Sequence, residues 1–257
     1  VENAQLHERA LREELLRTEL AQAHRVQKAF LPSGSPSLSN YEFFHFYEPA
    51  THLGGDYFDY VPLSGGRVAV ALGDVSGKGA PAALLMAKLS AEARYCLATE
   101  PTPSHAIRRL NNIFCDSSWE GRFITLFVGV IDPVKHEVTM VNAGHLLPLM
   151  RAASGEVKAL GTGDSSLPLG VENDVDYPAF SIMLSPGDSI AIFTDGVTEA
   201  MNPRNELYGA SRLEAAMAQV CGNVHMLGQH ILGDVRRFVG PRPQNDDICL
   251  VCFGRTG

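Results

Sequence analysis

Four aspartates stand where apolar runs give way to glycine-rich or polar turns: Asp56 in GGDYFDY, Asp74 in VAVALGDVSGKG, Asp195 in SIAIFTDGVTEA and Asp246 in QNDDICLVCF. Strand ends present side chains at the rim of a sheet, and carboxylates gathered there repel one another unless a cation or proton intervenes. Several hard oxygen donors with glycines beside them suit Mg²⁺ or Mn²⁺ far better than zinc. The chemistry to expect is metal-assisted hydrolysis.

Each motif alone is ambiguous. Gly54 and Gly55 allow close backbone approach to a ligand or ion, yet Gly-Gly-Asp is also an ordinary turn. Asp59, three residues beyond Asp56, should face the other way along a strand. In GDVSGKGA, Asp74 closes an apolar strand and Ser76–Gly79 leads into a long helix. A phosphate-cradling loop needs G-x-x-x-x-G-K-[ST]. Here only three residues separate Gly73 from Gly77, and Gly79 stands where a hydroxyl is required, so that NTPase reading fails. A carboxylate with a main-chain carbonyl at Val75 makes better use of the segment. Asp195-Gly196 alone would pass for a turn. Asp246 and Asp247 are adjacent and point opposite ways on an extended backbone, so one of them is expected as a ligand. His145, in the turn Asn142–His145, is expected to be structural.

The elements that must position these residues follow from periodicity. Residues 1–31 contain no Gly or Pro, and Leu16, Leu20, Ala23, Gln27 and Phe30 repeat in a 4-3-4-3 spacing. That spacing fits a coiled-coil seam or an amphipathic helix docked on its own domain. Pro32, Gly34 and Pro36 mark a linker over 32–40. From Tyr41 onward, strands come in hairpin-like groups separated by helix pairs, with helices after Gly79, around 105–115, and near 209–220 and 225–239. This order argues against alternating β-α-β units. The runs VAVAL and IAIF predict strands buried on both faces. The expected fold is α+β: two antiparallel sheets packed together over 41–257, with helices outside.

The chain has 257 residues, 45% of them hydrophobic, enough for one large core. A net charge of −8 argues against a nucleic-acid protein. No apolar run reaches the ~18 residues of a membrane span and no signal peptide opens the chain, so a cytoplasmic location without membrane contact is expected. Because it begins at Val1, it is expected to be a piece of a longer protein with a sensor upstream. Five cysteines, an odd number, suggest free thiols. Cys249 and Cys252 lie three apart on a strand and face opposite sides, which disfavours a shared metal. Trp119 finds no place in the pattern.

Together, GGDxxD, GDxSGxGxxA, NAGHxxP, PLG, TDGxxE and the Asp246-Asp247 pair resemble the SpoIIE/RsbU-like branch of the PPM (PP2C-type) serine/threonine phosphatases. The resemblance covers the chain beyond Pro32, and VQKAFLP is similar to the segment preceding such domains. It implies a PP2C-like sandwich and a centre of two Mn²⁺ or Mg²⁺ ions. Carried over by motif, Asp74 would bridge the ions, the Val75 carbonyl would bind one, and Asp195 and Asp246 the other. Asp56 would support the site directly or through water. The resemblance selects Asp246 rather than Asp247. It also implies a phosphorylated STAS-type anti-sigma factor antagonist as substrate, in a bacterial partner-switching pathway. The helix over 1–31 would then serve regulation or homodimerisation.

Two positions depart from the family pattern. Its Gly-His-Gly is Gly77-Lys78-Gly79 here, and its Thr after the final aspartates is Cys249. Lys78 would either grip substrate phosphate or weaken metal binding by repulsion. Neither change removes an expected ligand. The alternative is a pseudophosphatase, the same fold kept as a regulated binding module.

Overall fold

The structure is a computed structural model that describes residues 2–116, 121–220 and 222–257, so Val1, Trp119 and Cys221 lie outside the described residues. Helix α1 runs Glu2–Lys28 and is followed by strands β1 (Tyr41–Glu48), β2 (Tyr57–Pro62) and β3 (Val68–Val75). Helices α2 (Ala80–Thr99) and α3 (Pro103–Cys115) come next. Strands β4 (Ile124–Asp132), β5 (Glu137–Ala143), β6 (Leu149–Arg151), β7 (Val157–Ala159), β8 (Ser165–Ser166), β9 (Ala179–Met183) and β10 (Ser189–Phe193) follow. The chain then forms α4 (Asp195–Thr198), α5 (Ala210–Ala218), α6 (Val224–Val239) and β11 (Ile248–Arg255).

Two sheets result. One has the order β1-β11-β10-β6-β7; the other is β2-β3-β4-β5-β8, with β9 also pairing β5. The expected antiparallel pairing holds with one exception, since Asn142–Ala143 pairs Ser165–Ser166 in parallel. That two-residue strand and β7 fall in a region whose Gly, Ser and Asp content carries no strand signal. Helices α2 and α3 cover the second sheet, and α5 and α6 cover the first.

Side-chain alternation explains the layering. On β11, Cys249, Val251 and Phe253 join the core between the sheets, whereas Leu250 and Cys252 pack under α5 and α6. Strand β10 divides the same way: Ile190 and Ile192 face inward, Ala191 and Phe193 outward. The two cysteines thus lie on opposite faces, and the four cysteines among the described residues are free thiols.

Among the described side chains, helix α1 docks by its last turns. Gln27 is buried and bonds both ways with the Gly54 backbone, Nε2 donating to the carbonyl at 2.7 Å and Oε1 accepting from the amide at 3.2 Å. The Ser90 hydroxyl, from α2, donates to the Phe30 carbonyl at 3.0 Å. Leu11, Leu15 and Leu16 are more than half exposed. The 4-3-4-3 spacing therefore corresponds to a docked face only near its C-terminal end, where Leu20 and Ala23 are half-buried.

Candidate metal centre

Two glycine-dependent close approaches build the rim. A Cβ at Gly196 would overlap the Asp247 carbonyl, and one at Gly54 would strike the Tyr47 hydroxyl and lie 2.7 Å from Asp247 Oδ2. Only glycine lets these loops converge. Asp247 then fixes the loop before β2, accepting from the Ala50 amide at 2.8 Å and the Gly55 amide at 2.7 Å.

Asp56 emerges from that loop, buried, with the Thr194 hydroxyl donating to its Oδ2 at 2.7 Å. Thr194 Oγ1 also accepts from the Cys249 amide at 3.0 Å, so one hydroxyl links β10, β11 and the start of β2. Asp74 lies near the end of β3, opposite Thr125 of β4. Asp195 opens the turn of helix α4, where sequence alone indicates only a turn. Asp246 stands just before β11, its Oδ1 accepting from the Asp247 amide at 3.0 Å. Asp59 does face the other way, paired with Arg94 of α2 and accepting from Tyr57 Oη at 3.1 Å.

Electrostatics show that Asp56, Asp74, Asp195, Asp246 and Asp247 share one region. Burial, then the Asp74 and Asp247 charges, holds the Asp56 carboxyl well above the usual carboxylate range. Asp74 is pushed up to about 7 by burial, then by Asp195, Asp246 and Asp247. Burial and then Asp246 raise Asp195. Such clustering costs free energy unless positive charge offsets it, which is the usual signature of a functional site.

The donor set fits a hard divalent cation. It is rich in carboxylates, and the nearby Cys249 thiol is fully buried and kept protonated by burial and then by the Asp56 charge. Gly55 leaves the Val75 carbonyl reachable, since a Cβ there would stand 3.0 Å from that oxygen. The Tyr47 hydroxyl is buried without a hydrogen-bond partner, and the Asp247 and Asp56 charges help to raise its pKa after burial. As the side chains stand, no group of three or more His, Cys, Asp or Glu among the described residues is poised to hold an ion. The carboxylates are engaged individually: Asp56 by Thr194, Asp247 by amides, and Asp246 by the Lys78 ammonium at 2.8 Å.

His145 is structural, as expected. Its Nε2–H donates to the Phe193 carbonyl at 3.1 Å, its Nδ1 accepts from the Thr125 hydroxyl at 2.8 Å, and Asn142 clasps its backbone. Sequence reasoning passed over Thr194 and the anchoring role of Asp247. The signal available was the Thr preceding Asp195 and the second carboxylate of the pair.

Residues 64–256 match the family model described as Stage II sporulation protein E (SpoIIE). The chain belongs to the SpoIIE family. By this membership it is a domain of the PP2C type. Among SpoIIE-like relatives, Phosphoserine phosphatase RsbU of Bacillus subtilis is 30% identical over 244 residues, covering 93% of this chain and 71% of RsbU. Protein IcfG of Synechocystis sp. is 26% identical over 274 residues. That alignment spans 93% of this chain but only 42% of IcfG. The fold matches the solved SiaA-PP2C domain of Pseudomonas aeruginosa with a TM-score of 0.83 at 19% identity, covering 96% of this chain and all of that domain.

Proposed function

We propose that this SpoIIE-family domain is a Mn²⁺- or Mg²⁺-dependent phosphoserine/phosphothreonine protein phosphatase. The observation that carries the reading is the cluster of buried and half-buried carboxylates at the junction of the two sheets. Asp74, the Val75 carbonyl, Asp195 and Asp246 would hold two ions, with Asp56 supporting the site. Bound divalent ions supply Lewis-acid neutralisation of phosphoryl oxygens and activation of water at neutral pH.

The protein's own groups set the stage for that chemistry. Thr194 fixes Asp56 against rotation, and Asp247 fixes the loop that carries it. A cavity of about 210 Å³ opens beside the rim, with Gly196, Asn245 and Arg236 among its lining residues. It offers room for a substrate side chain next to the phosphorylated residue.

The substrate we infer is a phosphorylated STAS-type antagonist in a partner-switching pathway, a reading supported by the likeness to RsbU. An upstream sensor acting through α1, with homodimerisation through its exposed leucines, and a cytoplasmic setting belong to the same proposal. No helix among the described residues is long and apolar enough to cross a membrane.

The second reading, a pseudophosphatase binding module, is favoured by one observation: Lys78 already occupies Asp246. Incubating the domain and Mn²⁺ with a phosphoserine-bearing STAS protein separates the two. Loss of the phosphate by mass spectrometry supports the enzyme; a phosphoprotein retained intact but bound supports the module.

A further inference from the structure

Lys78 lies in the β3–α2 loop between Gly77 and Gly79, whose φ angles of 95° and 77° are open to glycine. Its ammonium donates to Asp246 Oδ2 and to the Asn245 carbonyl, both at 2.8 Å. Asp246 Oδ1 is taken by the Asp247 amide, so Oδ2 is the oxygen that an incoming ion would need. The ammonium supplies positive charge beside a cluster that otherwise repels itself. The pair is not locked in: the Lys78 side chain is 60% exposed and that of Asp246 33%.

We propose that Lys78 is an exchangeable internal cation. Its ammonium holds Asp246 when no divalent ion is bound, yields Oδ2 to the arriving ion, and swings on its flanking glycines to meet the phosphate of the substrate. One residue thereby performs both roles that its charge suggests, in sequence rather than as alternatives. An exposed ion pair contributes little stability, so metal displaces it readily. The freed ammonium is a compact, flexible cation suited to a phosphate dianion. The inference rests on the metal-dependent reading of the site.

The test is calorimetric titration of Mn²⁺ into the wild-type chain, Lys78→Met and Lys78→Arg. Lys78 labelling by reductive methylation is followed by mass spectrometry with and without Mn²⁺. Removing the competing cation in Lys78→Met should tighten Mn²⁺ binding by about threefold to fivefold, while Lys78→Arg stays near wild type. Mn²⁺ should raise labelling of Lys78 several-fold. Equal or weaker Mn²⁺ binding by Lys78→Met, or labelling indifferent to Mn²⁺, overturns the exchange while leaving the metal centre standing. Absence of Mn²⁺ binding by all three proteins overturns both.

Discussion

The Thr194 hydroxyl donates to the Asp56 carboxylate at 2.7 Å, joining side chains 138 residues apart and tying one sheet to the other. Thr194 follows β10, Asp56 precedes β2, and the same oxygen accepts from the Cys249 amide on β11. Both side chains are buried. Removing the donor would leave a buried carboxylate short of a partner, at a cost of about 1–3 kcal/mol.

Thr194→Val should therefore lower stability by about that amount and reduce phosphatase turnover at least roughly tenfold, because Asp56 loses its orientation. Thr194→Ser should keep most of both. Urea unfolding and phosphopeptide hydrolysis check the pair. Equal stability for Val and wild type would show that the hydroxyl contributes nothing.

The adjacent aspartates should respond differently. Asp247 accepts two backbone amides, so Asp247→Asn turns a donor toward a donor and should cost roughly 2–3 kcal/mol in stability. Asp246 is half of a partly exposed ion pair, so Asp246→Asn should cost under about 1 kcal/mol while weakening Mn²⁺ binding. Thermal melts and calorimetry on both variants would reveal a swapped assignment directly.

Gly196 has no room for a methyl group beside the Asp247 carbonyl. Gly196→Ala should destabilise by about 2 kcal/mol or more through backbone displacement. It should also disturb Asp195 next to it. A melting temperature within a degree of wild type would contradict the packing.

Burial pushes the His145 pKa down to about 4 from its ordinary 6.5. A folded pKa below the unfolded one means that the unfolded chain binds the extra proton. The contribution is complete above pH 6.5, declines as pH falls from 6.5 towards 4, and is fully lost below about 4. The loss amounts to about 3 kcal/mol. The stability difference between wild type and His145→Asn should follow that window. A difference independent of pH between 7 and 4 would mean that His145 titrates normally in the fold.

Each aspartate's place at a strand end is legible in the sequence, because apolar runs and the turns that close them mark where strands stop. The alternating faces of Cys249 and Cys252, and of Asp56 and Asp59, follow from the strand period of two. Thr194 and Asp247 are different. Their roles depend on contacts between the sheets, set by packing angle and loop height, which no local spacing encodes. Gln27 illustrates the same limit: it falls in a coiled-coil register, yet its amide is spent on the Gly54 backbone. The parallel pairing of Ser165–Ser166 has no residue signal, being two polar residues captured by the edge of β5.

Asp74 is the residue proposed to anchor the metal-dependent hydrolytic centre. The direct measurement is p-nitrophenyl phosphate hydrolysis by wild type and Asp74→Asn in Mn²⁺, Mg²⁺ and EDTA. Turnover is expected with Mn²⁺ or Mg²⁺, none in EDTA, and a loss of at least about a hundredfold in Asp74→Asn. Turnover that survives EDTA or the substitution would contradict the proposal.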